Sequence, residues 1–403
     1  MRKMLFTLIL VLFAGTGAFA KTFKAGDSTI DAYASIRAYS AFNHTDGGQI
    51  ASPPDAGNIL DASDRSRFAI GLQANSRAGV RWTHGDFFFH NEFGMGGDTA
   101  TTNLTLRLLY GDYKFAGGEK GRIRVGQLPG TVHTFSLFDR KLNGDSGLQG
   151  MGTMIEARRA GINYAIGGFS ISALSMRQDS NMVTGRYSGA YANSEFSEIM
   201  PRIEASYVIS SVKIGGSYVK SSITANNTST GDLNKRYSLD AGHIVFAANP
   251  KIGDNVKLTV SGFYSVNGGM YQMVSMVSGN NDAEAVGRTA WALPQLKTDA
   301  DGNMSATGEM DNTTAFGGAV ALTVKDFEAG FGGQSTRNDA WQDDVNGMGF
   351  YANYRFKLGS YFKIIPEVGY VHTGKRLTQK TSANRVVDGE RGFQAGLAFR
   401  IDI

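Results

Sequence analysis

The sequence predicts an all-β chain that crosses a membrane as a closed antiparallel barrel of about sixteen strands. Three observations predict it: period-two alternation in segment after segment, connections that alternate short and long, and an apolar last strand. In that strand, Glu390 to Ile403, the positions Phe393, Ala395, Leu397, Phe399, Ile401 and Ile403 are apolar. Between them stand Gln394, Gly396, Ala398, Arg400 and Asp402, which are polar or small. Alternate side chains of a strand point to opposite faces, so one face is apolar and one is wet. Such a strand aggregates in water unless both edges are paired and the apolar face is covered. A barrel in lipid meets both conditions.

Composition agrees. The 403 residues could bury a large core, yet no run of about 18 apolar residues follows the N-terminal region, which excludes membrane helices. Hydrophobic content is an ordinary 42%, as expected when only every second residue faces lipid. The 52 glycines and 7 prolines suit paired strands and loops. There is no cysteine, which excludes a disulfide framework and a lipidated N-terminal cysteine. The net charge of +4 includes Arg2 and Lys3 and gives no support to nucleic-acid binding.

The elements follow in order. Arg2 and Lys3, the apolar run Met4 to Phe13 and the small-x-small site Ala18-Phe19-Ala20 read as an export signal over residues 1–20, cleaved before Lys21. Residues 21–403 are then one barrel domain. Ile30 to Phe42 alternates and is followed by a polar loop with Pro53-Pro54, which cannot pair centrally. From Arg67 to Thr83 the even positions read Phe68, Ile70, Leu72, Ala74, Ser76, Ala78, Val80 and Trp82, apolar but for one serine, whereas helical spacing would mix the two sets.

His84-Gly85-Asp86 turns the chain into Phe87 to Gly94. Thr102 to Phe115 follows, with Leu104, Leu106, Leu108 and Tyr110 expected on one face, and Gly117 to Gly121 turns into Arg122 to Leu128. After a loop of about twenty residues comes Thr153 to Ile166, whose alternation slips at Arg158-Arg159 and suggests a bulge. Gly167-Gly168 is a two-residue hairpin signal before Phe169 to Met176. The remaining strands are Arg202 to Ile209, Lys213 to Lys220, Arg236 to Ala248, Val256 to Asn267, Thr313 to Val324, Phe327 to Gln334, Met348 to Leu358 and Tyr361 to Val371. Short turns and long loops alternate throughout, which puts all the short turns at one end of a barrel.

The export signal, the strand opening Ser66-Arg67-Phe68-Ala69-Ile70-Gly71-Leu72, the segment Arg122-Ile123-Arg124-Val125-Gly126-Gln127 and the terminal strand together resemble the Gram-negative outer-membrane porins. Those are sixteen-stranded diffusion channels that usually form trimers and usually end in phenylalanine, where this chain ends in Ile403. The resemblance implies passage of small hydrophilic solutes, a homotrimer, and contact with the lipid bilayer and outer-leaflet lipopolysaccharide. It also implies that the loop over 129–152 folds inward to narrow the lumen. Its acids Asp139 and Asp145 would then face Arg37, Arg77 or Arg81, Arg107, and Arg158 or Arg159, with Arg124 beside them. Opposed charges at a narrow waist set up a transverse field that orients polar solutes.

Positions with inward parity carry more cations than acids. Arg67, Arg77, Arg81, Arg107, Arg122, Arg124, Lys257, Arg355, Lys357, Lys363 and Arg400 outnumber Asp31, Glu92, Glu204, Glu328, Glu367 and Asp402. The lumen therefore leans toward anions. The inward aromatics Tyr33, Tyr39, Phe88, Tyr113, Phe263 and Tyr351 leave room for a channel selective for sugars or organic acids. An adhesin or a rim enzyme anchored by a barrel is the remaining alternative.

No cofactor is expected and catalytic motifs are weak. Gly144-Asp145-Ser146-Gly147 has only His133 nearby and no third group to orient it. The six histidines show no ligand spacing. Asp299-Ala300-Asp301-Gly302-Asn303 opens like a calcium loop, but Met304 stands where the turn needs glycine. Gly117-Gly118-Glu119-Lys120 lacks phosphate-loop spacing and precedes a strand, so it reads as a turn.

Overall fold

The structure, a computed structural model, describes residues 21–46, 48–51, 59–62, 65–73, 75–96, 103–138, 141–142, 148, 151–154, 158–175, 195–198, 200–227, 232–268, 293–298, 304–338, 344–373, 376–378, 385–387 and 391–403. It is a closed antiparallel barrel of sixteen strands. The first half comprises β1 (Ser28–Asp46), β2 (Arg65–Leu72 continued by Arg77–His84), β3 (Phe87–Gly96), β4 (Asn103–Lys114), β5 (Arg122–Leu128), β6 (Arg159–Ile166), β7 (Phe169–Leu174) and β8 (Arg202–Ile209). The second comprises β9 (Val212–Asn227), β10 (Asp232–Ala248 continued by Lys251–Ile252), β11 (Val256–Val266), β12 (Thr313–Val324), β13 (Phe327–Asn338), β14 (Val345–Tyr354 continued by Phe356–Leu358), β15 (Phe362–Thr373) and β16 (Arg391–Asp402).

Each strand pairs with its sequence neighbours, and β1 closes the ring by pairing with both β2 and β16. The lead segment Lys21–Ala25, which the sequence pattern leaves unpaired, continues the line of β16 and pairs with the start of β1. Residues Ala34 and Ile403 exchange both backbone hydrogen bonds at this seam, so the first and last barrel strands close on each other.

Alternation places the side chains as expected. On β2, Phe68 and Ile70 are 63% and 74% exposed, and Phe316, Phe331 and Leu397 form part of the same outward apolar band. In water this band would be a liability. Hairpins Gly48–Ala51 with Ile59–Ala62, Leu293–Thr298 with Met304–Asp311, and Arg376–Thr378 with Arg385–Val387 lie in the long loops. The opposite end carries only tight turns such as Gly85-Asp86, Gly167-Gly168 and Lys325-Asp326. Residues Gly117 to Lys120 also form a turn there.

Three expectations are corrected. First, Leu104 and Leu106 do face outward, but Leu108 and Tyr110 face inward, because the register with β3 shifts between Glu92 and Phe93. The extra residue is Arg107, a bulge that reverses the parity of the rest of β4. Second, the same reversal turns Tyr113 outward, where it is 46% exposed and packs edge-on against Phe115. Third, the slip at Arg158-Arg159 is not a bulge within a strand: β6 begins at Arg159, and Thr153 and Met154 are buried loop residues.

Candidate functional site

The described residues of the connection between β5 and β6, within 129–158, lie inside the barrel and touch three stretches of its wall. Near β8, the Thr131 N–H donates to Glu204 at 3.0 Å, and Lys213 of β9 donates to the His133 carbonyl at 3.5 Å. Further on, Phe138, Leu148 and Met151 pack against Ala319, Ala321 and Tyr351 of β12 and β14. Across the lumen, Leu142 packs with Ala41, Ile365 and Ala398 of β1, β15 and β16. There the N–H groups of Lys141 and Leu142 donate to the two oxygens of Glu367, at 2.5 and 3.0 Å. Burying each large apolar side chain contributes about 1.5–3 kcal/mol, and the carboxylate caps amides that would otherwise be orphaned.

The wall is shaped for this loop. A Cβ added at Gly332 or Gly349 would strike the Met151 carbonyl or sulfur, and one at Gly152 would strike the Gly318 carbonyl. Gly152 also has φ +103, which other residues rarely adopt.

Between loop and wall lies a space of ≈ 620 Å³. It brings together Arg37, Arg77, Arg81, Arg107 and Arg158, five of the seven arginines singled out from sequence, without Arg124 and Arg159, and adds Lys141 and Arg400. The carboxylate among them is Glu92 of β3, only 4% exposed. It accepts from Arg107 Nε and from the Tyr33 hydroxyl, each at 2.7 Å, with Arg77 Nε at 3.5 Å. Arg81 lies over the Tyr33 ring, 4.5 Å from its centre. Arg37 is nearly covered and is fixed by Ser35 Oγ and by backbone bonds to Ser76. Burial, and then the like charge of Arg107, lowers the pKa of Arg158 to about 10, which leaves it a cation.

Arg124 does not join this group. It lies closer to the short-turn end, paired with Asp112 at 2.8 Å and stacked 4.4 Å from the Tyr110 ring centre. Asp139 and Asp145 lie outside the described residues, as do Gly144 to Gly147 and Asp299 to Asn303. Sequence reasoning gave Glu92 and Arg400 inward parity but did not assign them to the site. Their role follows from the bulge at Arg107 and from the pairing of β16 with β1.

Three serine and histidine pairs are close among the described residues: Ser28 with His84 and Ser66 with His44, each at 3.0 Å and exposed, and a third that is buried. Ser217 and His243 Nδ1 are 2.8 Å apart on β9 and β10, and both are buried. Glu204 is the register partner of Ser217, not of His243, so no acid is set to orient the ring as in a catalytic triad. Among the described residues, no group of three potential ligands gathers for a metal.

No family model and no curated protein matches this sequence. Solved structures match in fold. The outer membrane channel DcaP of Acinetobacter baumannii aligns over 94% of this chain and 99% of its own, at 14% identity and a TM-score of 0.56. In-vitro folded OmpT, an outer membrane protein of Vibrio cholerae, aligns over 95% and 100%, at 13% identity and a TM-score of 0.51. The chain thus has the barrel fold of these outer-membrane proteins.

Proposed function

We propose that the chain is an outer-membrane porin that passes small hydrophilic solutes and ions by passive diffusion and favours anions. The observation that carries this reading is the loop seated inside the lumen, beside a space lined by seven cations and one carboxylate among the described residues. A sixteen-stranded barrel is wide enough for an aqueous channel, and a local excess of positive charge raises anion concentration within a Debye length of about 8–10 Å. DcaP, an outer membrane channel of the same fold, supports the reading. The chain then acts as a channel and not as an enzyme; of its close serine and histidine pairs, Ser217 and His243 are buried in the wall.

A second reading, a channel selective for sugars or organic acids, draws on Arg81 over Tyr33 and Arg124 over Tyr110. Amphipathic aromatic and cationic surfaces of this kind bind planar or hydroxylated solutes. The proposal includes a signal over residues 1–20, the constriction residues Arg37, Arg77, Arg81, Arg107, Arg158, Asp139 and Asp145, with Arg124 below them toward the short-turn end, a homotrimer, and contact with bilayer lipid and lipopolysaccharide. Reconstitution in a planar bilayer tests the channel: ion conductance with a reversal potential on the anion side is expected in a salt gradient. A barrel that conducts nothing, or conducts cations preferentially, overturns the porin or the selectivity respectively. N-terminal sequencing and the native mass in detergent test export and trimerisation.

A further inference from the structure

The short-turn mouth holds a second concentration of positive charge, separate from the constriction. Lys251, Lys257, Lys325, Arg355 and Lys357 line an open space of ≈ 490 Å³ at the ends of β10, β11, β12 and β14, together with Asp254 and Asp326. Asp326 is taken by Lys357 at 2.7 Å. Lys251, Lys257 and Lys325 make no ion pair among the described residues.

The strand register makes this arrangement costly. Lys251 stands directly opposite Lys257, and Lys357 directly opposite Lys363. Like charges so placed destabilise a sheet. The second pair continues around the wall, because Lys363 is opposite Arg400 and Arg400 is opposite Arg37. Arg37, Arg400, Lys363 and Lys357 therefore form an unbroken row on four adjacent strands, about 14 Å across at ordinary strand spacing. One end of the row lines the constriction and the other lines the mouth. Asp402, 2.8 Å from both Lys363 and Arg400, offsets only part of its charge. With Asp326 on Lys357, the four cations of the row share two acids, so positive charge remains in excess along it.

We propose that the short-turn mouth is an anion site for small multivalent oxyanions, phosphate or polycarboxylates, which exchange with the constriction along this row. The inference rests on the channel reading above. A single chloride gains little from cations spread around an open mouth, whereas an anion with several oxygens engages two or three at once. The volume lies within the range of small-molecule sites, about 300–1,000 Å³.

Citrate block of single channels tests it. The chain holds no cysteine, so Glu119→Cys in the β4 to β5 turn, labelled from one side with a bulky thiol reagent, reports each channel's orientation. Citrate added at the short-turn side of the wild-type channel should block at lower concentration than citrate added at the loop side. The combined variant Lys251→Gln, Lys257→Gln, Lys325→Gln should weaken that block roughly tenfold, and the matching arginine variant should retain it. Block that is absent, equal from both sides, or unchanged by the glutamine variant overturns the mouth site. A wild-type barrel that carries no current at all defeats the channel reading instead, so the two failures are distinguishable.

Discussion

The backbone N–H of Lys141 donates to the side chain of Glu367 at 2.5 Å, so a single carboxylate on β15 holds the tip of a loop that leaves the wall at β5. The neighbouring N–H of Leu142 uses its other oxygen. Glu367→Ala leaves two buried amides without an acceptor and should cost about 1–3 kcal/mol. Glu367→Gln keeps one acceptor oxygen and should fall between the two. Thermal unfolding in detergent reads the stability, and single-channel recordings should show a noisier, larger conductance in the alanine variant. An alanine channel as quiet as the wild type would mean the loop is held elsewhere.

Arg81 and Arg107 line the same space but should behave differently when removed. Arg81 is exposed and rests on Tyr33, so Arg81→Ser should cost only about 0.5–1 kcal/mol while moving the reversal potential toward cations at low salt. Arg107→Ser strips the 2.7 Å partner from buried Glu92 and should cost more, about 2–4 kcal/mol, with Arg77 and Tyr33 supplying partial replacement. Adding Glu92→Gln to Arg107→Ser should recover part of that loss. Equal stability losses from the two single variants would contradict the burial of Glu92.

The period-two pattern was legible wherever one face of a strand turns outward, as on β2 from Phe68 to Trp82. That pattern survives the irregularity between Leu72 and Arg77, where two extra residues preserve parity. A single extra residue at Arg107 does not, and nothing local in Leu104 to Tyr110 marks it, because Leu108 and Tyr110 are as apolar as their neighbours. The arginines were legible from parity, but their heights were not. Strand tilt and stagger set Arg124 toward the short-turn end while Arg107, one strand away, faces the loop. Glu367 could not be assigned from sequence at all, since its partners are backbone amides 225 and 226 residues away.

Facing can be tested with one arginine placed on each side of the wall. Phe331→Arg on β13 points into the apolar band and should cost about 2–4 kcal/mol if the site is near the midplane. Thr83→Arg on β2 points into the lumen near the short-turn end and should change conductance with a stability effect below about 1 kcal/mol. Urea or thermal unfolding in detergent compares them, and similar losses would mean that the outward band is not covered by lipid.

Gly152→Ala tests the seat of the inward loop. Its positive φ disfavours a side chain, and the new methyl would meet the Gly318 carbonyl on β12. A loss of about 2–3 kcal/mol is expected from backbone strain and overpacking together. The loop should become a protease target while the barrel stays intact. A variant as resistant as wild type would show that the seat adjusts.

His133 makes the loop sensitive to acid. Burial, reinforced by nearby Lys213, lowers its pKa from the ordinary value of 6.5 to about 4, while its Nδ1–H donates to the Gly130 carbonyl at 3.1 Å. Glu204 and Arg158 also act on the ring, with opposite signs. A histidine whose folded pKa is depressed favours the folded form fully above its free pKa, where it is neutral in both states. As pH falls from 6.5 toward 4, a released loop takes up a proton that the seated loop refuses, and stability is lost by up to about 3 kcal/mol. Channel noise and protease sensitivity of the loop should therefore rise between pH 6.5 and 4. His133→Asn, which keeps an N–H donor but cannot gain charge, should remove most of that rise. If the variant shows the same acid response as the wild type, the response comes from another group on the loop or wall.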